Sequence, residues 1–240
     1  MASMSISLLT LNIEEDKHLD LILPYLIDQK FEVICLQEVF QKDLPQLAEA
    51  ANAQSYYTPL AMLNGKVWGV ALLIRLDLKV ISSFEKYYKG ESTQIPTFTF
   101  ETPNAVNRAI LSAEIEKEGK KWRFTTTHFT WAGGGGVSPD QERDFPNLIH
   151  ALNEAGETVL CGDFNAPRGL RIFDDLATRY KDNIPAEATT TIDQKLHRAK
   201  GLQLVVDGMF TSPKYQIKNA EVISDLSDHC GVKGDVFLNE

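Results

Sequence analysis

The sequence predicts an α/β fold in which two mixed β-sheets pack face to face and helices cover their outer sides. Three observations lead to this prediction. Strand-like segments outnumber helix-like ones, hairpin-like strand pairs are mixed with helical crossovers, and no linker, repeat or charge block divides the chain. Two sheets that are each apolar on one face bury those faces most simply against each other. The 240 residues, 43% of them apolar, are expected to form a single domain over residues 1–240.

The first third of the chain contains four predicted strands and one helix. Residues 4–12 and 33–36 are short apolar runs typical of strands buried on both faces. Leucines and isoleucines between them recur at helical spacing, so we expect a helical crossover that Pro24 kinks or shortens. Residues 67–74 and 78–84 are predicted to be a pair of strands joined by a short turn.

The rest of the chain alternates between predicted strands and helices. Residues 96–101 and 121–129 alternate between apolar and polar residues, as expected for antiparallel strands with one solvated face, and a strand at 108–116 lies between them. Two helices are predicted at 138–155 and 170–178, and four more strands at 157–162, 203–211, 216–223 and 231–238. The segments 85–107, 131–138 and 179–202 are predicted to be long loops, and such loops often shape a site.

The composition excludes some functional classes. With 24 basic and 33 acidic residues the net charge is −9, which argues against binding of nucleic acid by bulk charge but allows a site that carries its own metal cation. The only concentrated basic stretch, residues 117–123, is expected at a hairpin turn. No run approaches the roughly 18 apolar residues of a membrane span, and no basic amphipathic helix indicates a stable membrane anchor.

The three cysteines are expected to be small apolar packing residues. Cys35, Cys161 and Cys230 cannot all pair, and none lies in a CxxC spacing. Unpaired cysteines favour a reducing compartment, so a cytoplasmic location is expected.

Polar residues occur where the apolar strands end. They are Asn12, Glu38, His128, Asp163 with Asn165, Asp207, and Asp228 with His229. If these strand ends meet at one edge of the sheets, carboxylates, amides and imidazoles surround one point. Carboxylate and amide oxygens are the ligands that Mg²⁺ prefers, often together with a substrate phosphate. The pattern therefore predicts a site for phosphate chemistry with a hard metal ion.

Seven short motifs occupy the same positions: LTLNI (9–13), ICLQEV (34–39), NRAIL (107–111), TTHF (126–129), CGDFNAP (161–167), VVDGMF (205–210) and SDHCG (227–231). In this order they resemble the endonuclease/exonuclease/phosphatase superfamily, which includes deoxyribonuclease I, AP endonucleases, inositol-polyphosphate 5-phosphatases and neutral sphingomyelinases. LQE or SDH alone occurs by chance, whereas LQEV, GDFN and SDH in this order are specific. The resemblance implies a four-layered, deoxyribonuclease I-like sandwich and a metal-dependent phosphoric ester hydrolase.

The resemblance also implies which residues hold the metal and the attacking water. Glu38 resembles the principal metal-binding carboxylate of the family, with Asn12 and Asp228 as further ligands. Asp163 resembles the carboxylate that activates or orients the water, and Asn165 the amide that positions the water or the phosphate. The implied metal is Mg²⁺, with Mn²⁺ as an alternative.

The residues implied to contact the phosphate come from other motifs. His229 resembles the histidine at the scissile phosphate, and Asp207 the acid that fixes its tautomer. The family has an aromatic residue or histidine after this aspartate, whereas Gly208 follows it here. His128 resembles a second phosphate-facing histidine of the family, and Arg108 resembles an arginine that binds a phosphate in several members.

Outside the motifs we expect structural roles. Core packing is the favoured role for Trp68, Tyr87, Tyr88, Phe98 and Trp131, with stacking on bases or a lipid as the alternative. The glycines at 133–136 are expected to form a flexible loop tip that carries Trp131 over the substrate, with a phosphate cradle made by their backbone amides as the alternative. The three histidines without motif context, His18, His150 and His197, are expected on the surface or on helices.

Three functions remain open at this point. The favoured one is a Mg²⁺-dependent phosphodiesterase or nuclease, a monomer whose partner is a nucleic acid. The second is a phosphatase or phospholipid phosphodiesterase for a small or lipid phosphoester, which the acidic net charge favours. The third is a non-catalytic binding module, which the complete set of site residues disfavours.

Overall fold

The computed structural model describes residues 4–239 and contains two six-stranded mixed sheets. From edge to edge the first sheet contains β11 (Tyr215–Ile223), β12 (Gly231–Leu238), β1 (Ile6–Asn12), β2 (Val33–Phe40), β4 (Lys66–Arg75) and β3 (Ala53–Leu63). The second contains β5 (Lys79–Lys89), β6 (Arg108–Lys117), β7 (Lys120–His128), β8 (Val159–Asp163), β10 (Asp207–Thr211) and β9 (Lys181–Asp182).

Four α-helices cover the outer faces of the two sheets. They are α1 (Leu19–Gln29), α2 (Leu44–Ala50), α3 (Pro139–Ala155) and α4 (Arg171–Ala177). The first two share a buried apolar cluster with the first sheet, and the last two share one with the second sheet. A third cluster fills the space between the sheets, where Trp122 and Phe124 are among its largest buried side chains. The predicted four-layered α/β sandwich is confirmed.

The ends of α3 follow from its local sequence. Ser138 caps the helix, its hydroxyl accepting a hydrogen bond from the amide of Gln141 while the Gln141 side chain accepts one from the amide of Ser138. Pro139 occupies the first turn, where no intrahelical N–H bond is lost. Because Gln141 also donates to the backbone oxygens of Thr130 and Asn165, the start of this helix fixes two loops beside the site.

Each sheet has one parallel strand pair at its centre. β1 pairs in parallel with β2, and β7 with β8, while the flanking strands run antiparallel to these pairs. The carboxyl ends of the parallel strands and the amino ends of the antiparallel neighbours β6, β10 and β12 therefore meet at one edge. This topology brings the polar strand ends of the sequence to a single place.

Three sequence expectations need correction. Residues 96–101 do not form a strand: they contain only an isolated bridge from Thr97 to Met62, and Phe100 faces solvent. β3 was not predicted; Pro59 in it is tolerated because β3 is an edge strand with an irregular register between Pro59 and Ala61. β4 and β5 are both strands, but they lie in different sheets instead of pairing with each other.

The basic stretch at residues 117–123 lies on the β6–β7 hairpin, at the end of the second sheet opposite Arg108 and His128. Lys117 pairs with Glu32, and Arg123 with Glu114, so carboxylates neutralise much of its charge. Among the helices of residues 4–239, none has both the length and the apolar character needed to cross a membrane.

We predict that Gly162→Ala destabilises the protein by about 1–3 kcal/mol, because the added carbon overpacks the β7–β8 pair. A Cβ at Gly162 would lie 2.1 Å from the backbone oxygen of Thr127 on β7. Urea unfolding measures the change. Gly136→Ala is the control, since its Cβ would have no atom within 4 Å. Equal stability of the two variants would contradict the prediction.

Candidate active site

The nine residues predicted from the sequence gather around one cavity between the sheet ends. The cavity has a volume of about 240 Å³. Its wall includes six of the nine, namely Glu38, Arg108, His128, Asn165, Asp228 and His229. The other three lie directly behind them: Asn12 and Asp207 are hydrogen-bonded to wall residues, and Asp163 to both Asn12 and Asn165.

Glu38 reaches the cavity through a β-bulge. The pairing of β2 with β4 shifts between Leu36 and Val39, and Glu38 adopts a left-handed backbone conformation with φ 60°. A bulge of this kind re-aims one side chain relative to the regular strand alternation. On the partner strand β4, a Cβ at Gly69 would lie 2.1 Å from the Thr58 oxygen of β3, so β4 and β3 approach closely beside the bulge.

Asn12 links the carboxylates of the two sheets. Its Nδ2 atom donates to Glu38 Oε1 at 3.2 Å and to Asp163 Oδ2 at 3.0 Å, while its Oδ1 accepts from the amide of Glu14. Glu38 belongs to the first sheet and Asp163 to the second. The amide therefore holds two acidic groups together that would otherwise repel each other.

Asp163 and Asn165 form a tight polar turn at the end of β8. Asp163 Oδ1 accepts from the backbone amide of Asn165 at 2.8 Å, and Asn165 has a φ of 49°, which asparagine tolerates better than most residues. The Asn165 side chain donates to the Phe129 oxygen at 3.2 Å. This turn fixes Asp163 behind the cavity and leaves Asn165 in its wall.

His229 and Asp207 form a buried acid–imidazole pair. His229 Nδ1 lies 2.9 Å from Asp207 Oδ2, and His229 Nε2 lies 3.8 Å from Asp163 Oδ2. Burial opposes the charged imidazole, but the surrounding aspartates, Asp207 first, outweigh it and hold the pKa of His229 well above its usual range. His229 lines the cavity, and its protonated ring carries an N–H on Nε2 as well as the one on Nδ1.

Gly208, where the sequence departs from the family, is explained by packing. A Cβ at this position would lie 2.3 Å from the ring of Phe210 and 2.6 Å from that of Phe164. These two buried rings occupy the space that a larger side chain would need, and Asp207 keeps its contact with His229.

His128 and Arg108 are buried side by side in the cavity wall. Arg108 Nη1 donates to the backbone oxygen of His128 at 3.0 Å, and its Nε atom has no partner in residues 4–239. Burial, helped by the nearby Arg108 charge, lowers the pKa of His128 well below its usual range, so the ring is neutral. His128 Nδ1 has no partner either, whereas Nε2 lies 3.5 Å from Asp163 Oδ2. A neutral ring is therefore expected to hold its proton on Nε2.

The carboxylates of the site are crowded and desolvated. Burial, reinforced by Asp228, raises the pKa of Glu38 to about 8, and burial raises the pKa of Asp163 to about 6. The pKa of Asp228 is also raised, again mainly by burial. Such groups are stabilised by a bound cation. Two sets of three residues, Glu38–His128–Asp163 and Asp163–Asp207–His229, present candidate ligand atoms within 4.8 Å of one another. This oxygen-rich donor set fits a hard divalent ion.

Sequence reasoning missed several residues of the cavity mouth. Glu14, Glu15, Lys17, His197, Arg198 and Phe100 all line it. His197 belongs to one of the long loops and carried no motif signal. Trp131 is 43% exposed and lines the cavity, so the core role expected for it is wrong, whereas its placement at the cavity by the glycine loop matches the alternative expectation.

The two packed sheets with helices on their outer sides define a protein of the deoxyribonuclease I-like fold class. The chain belongs to the endonuclease/exonuclease/phosphatase family, whose sequence profile matches residues 9–229. Members of this family are phosphoester hydrolases and generally depend on divalent metals. A comparison with curated protein sequences finds no match.

Solved structures show the same fold at low sequence identity. The human nocturnin catalytic domain with bound sulfate is 17% identical with a TM-score of 0.75, covering 98% of this chain and 94% of its own. The mannosyl-6-phosphatase Bt3783 of Bacteroides thetaiotaomicron is 16% identical with a TM-score of 0.74, covering 98% and 100%. TDP2 of D. rerio in complex with a single-strand DNA product is 16% identical with a TM-score of 0.69, covering 97% and 98%.

We predict that Glu38→Gln stabilises the metal-free protein by about 1 kcal/mol, because it removes a carboxyl group that must either take up a proton or hold a desolvated charge when the protein folds. The same change should abolish most of the stabilisation that Mg²⁺ gives the wild type, since ligand binding raises folding stability. Thermal unfolding in EDTA and in millimolar Mg²⁺ measures both effects. Glu187→Gln, at an exposed position, is the control. Lower stability of Glu38→Gln in EDTA would contradict the prediction.

Proposed function

We propose that the protein is a Mg²⁺-dependent phosphodiesterase that acts on nucleic acid. The observation that carries this proposal is the convergence of carboxylates from both sheets, two imidazoles and a buried arginine on one cavity. This set supplies each function that phosphodiester hydrolysis requires: metal ligands, a base for water, and donors for the phosphate oxygens.

Glu38, with Asp228 and Asn12, would hold the metal ion. As oriented, Asn12 directs its Nδ2 toward the carboxylates, so it supports Glu38 directly and would act as a ligand only through its oxygen. When bound, the ion would offset the negative charge that develops on the phosphate during hydrolysis.

Asp163 is the proposed base for the attacking water. Its pKa of about 6 leaves it ionised at neutral pH yet basic enough to accept a proton. The backbone amide of Asn165 fixes the Asp163 carboxylate at 2.8 Å, and the Asn165 side chain, in the cavity wall, would position the water or the phosphate.

The proposed phosphate contacts are His229, His128 and Arg108. Protonated His229, held by Asp207 through Nδ1, offers its Nε2–H to a phosphate oxygen. Neutral His128 would offer its own Nε2–H, which lies 3.5 Å from Asp163 Oδ2. Arg108 adds a buried cation whose Nε atom has no other partner in the part of the chain described.

The second candidate is a phosphatase or phosphodiesterase for a small or lipid phosphoester. The observation that favours it is the charge distribution: the protein has a net charge of −9, and its one basic stretch lies at the far end of the second sheet. The structural neighbours include both classes, a single-strand DNA complex and a mannosyl-6-phosphatase. A substrate panel under matched salt separates the two, because contacts with several phosphates make binding salt-dependent.

We predict that phosphodiester hydrolysis requires Mg²⁺ and is lost in EDTA, and that Glu38→Ala lowers kcat about 10²–10³-fold. The reason is that removal of Glu38 deprives the ion of its principal carboxylate. Initial rates on an oligonucleotide and on a generic phosphodiester measure the effect, with the exposed Glu187→Ala as control. Activity that survives both chelation and Glu38→Ala would refute the metal-dependent mechanism.

We predict that Asp207→Asn lowers kcat about 10²-fold or more while KM changes little. The amide keeps the shape of Asp207 but removes the charge that most strongly favours protonated His229. Steady-state kinetics with Mg²⁺ at neutral pH measure the split between kcat and KM. A kcat within threefold of the wild type would show that the pair at 2.9 Å does not support catalysis.

A further inference from the structure

One side of the cavity is lined by aromatic rings, which we call the aromatic wall: Trp68, Phe98, Phe100 and Trp131. The rings of the first three form a chain that leads outward from His128. The centroid of Trp68 lies 5.3 Å from that of His128, Phe98 lies 6.5 Å from Trp68, and Phe100 lies 5.4 Å from Phe98. The exposed fraction of Phe100 is 76%, the largest among the large apolar side chains of residues 4–239.

The segments that carry the wall are anchored to the body of the protein. The segment with Phe98 is bound to β3, where the Met62 amide donates to the Pro96 oxygen and the Phe98 amide donates to the Met62 oxygen, both at 2.8 Å. Asn104 joins this segment to the loop of Trp131. It donates to the Trp131 oxygen at 3.0 Å and accepts from the Trp131 amide at 3.1 Å. The backbone at Phe98 and at Trp131 is therefore anchored without a ligand.

The rest of the cavity mouth has a different character. Glu14 and Lys17 form an ion pair there, and His197 and Arg198 lie close by. The wall thus offers flat apolar surface directly beside the phosphate position, while the basic residues 117–123 lie at the far end of the sheet. Only two exposed basic residues, Lys17 and Arg198, line this mouth in the part of the chain described, and Lys17 is paired with Glu14, which offers few contacts to the backbone of a long duplex. A flat group attached to the scissile phosphate could stack on the faces of these rings.

We propose that the aromatic wall binds an unpaired nucleobase next to the scissile phosphate, so that the substrate is a single strand or a nucleotide ester and not a duplex. This inference rests on the proposed function. Aromatic side chains bind single strands by stacking on bases, which needs little help from backbone charge. The basic residues that line the cavity mouth, Lys17 and Arg198, are not the large cluster of lysines and arginines that recruits proteins to an anionic lipid surface, and Lys17 is already paired with Glu14. Phe100 and Trp131 are the specificity residues.

The first experiment measures binding without turnover. Fluorescence anisotropy in EDTA measures the affinity of the wild type for three labelled ligands. They are an oligothymidylate, the same strand with abasic tetrahydrofuran sites in place of the nucleotides, and the duplex form of the oligothymidylate. We expect the base-containing strand to bind at least about tenfold more tightly than the abasic strand, which has the same charge. The proposal would be overturned if the abasic strand bound as tightly as the base-containing strand, or if the duplex bound as tightly as the base-containing single strand.

Substitutions at Phe100 distinguish stacking from simple apolar contact. Phe100→Ala and Phe100→Leu should both weaken binding of the base-containing strand about tenfold and leave the abasic strand unchanged, whereas Phe100→Tyr should retain affinity. Leu76→Ala is the control, since Leu76 is 61% exposed and follows the end of β4 distant from Trp68. Full affinity in Phe100→Leu, together with displacement of the strand by a dispersed short-chain phospholipid, would assign the wall to an acyl chain instead.

Two further results separate this inference from the proposed function. If the wild type binds strands in a base-dependent way but hydrolyses no phosphodiester with Mg²⁺, the base-binding role of the aromatic wall stands and the proposed activity is refuted. If the wild type hydrolyses a base-free phosphodiester and binds abasic and base-containing strands equally, the proposed activity stands and the base-binding role of the wall is refuted. Asn104→Ala should reproduce part of the Phe100→Ala binding loss, because it releases the loop of Trp131.

Discussion

The site depends on one hydrogen-bonded bridge between the two sheets, in which the Asn12 amide holds Glu38 and Asp163 together. A buried carboxylate pair without such a donor would be costly, because each charge is desolvated and repels the other. The bridge also fixes the distance between β2 and β8 at the edge of the site. Only when both carboxylates face the same point does the cavity acquire a donor set for a hard cation.

A second polar contact crosses the otherwise apolar interior close behind this bridge. Gln37, fully buried beside Glu38, donates to the hydroxyl of Thr126 in the second sheet at 2.9 Å. Buried amides of this kind fix the relative position of packed layers, since a slip would leave their polar atoms unpaired. The register between the sheets is therefore set by polar residues, whereas the apolar cluster between the sheets supplies most of the burial.

The sequence predicted most of the site because buried strands that end in a carboxylate, amide or imidazole are visible as a pattern. It could not predict how the residues reach one another. The bulge that turns Glu38 inward depends on the pairing of β2 with β4, which joins residues far apart in the chain. β3 was not predicted because it contains Pro59, which disfavours a strand in the middle of a sheet. The position of β3 at a sheet edge, where proline is tolerated, is a property of the whole fold. Phe100 carried no signal, since alternation around it suggested a strand that does not form.

A bound cation and the aromatic wall would relieve the same electrostatic difficulty in two ways. An acidic protein with a net charge of −9 repels anionic substrates, and the carboxylates of the cavity add to that repulsion. A bound cation reverses the local charge only at the phosphate itself, because screening limits its reach to about 10 Å or less in salt. Affinity for the part of the substrate that the cation does not contact can come from uncharged contacts. Exposed rings at Phe100 and Trp131 supply such contacts. We therefore propose that a site of this composition selects substrates by the group attached to the phosphate more than by the number of phosphates.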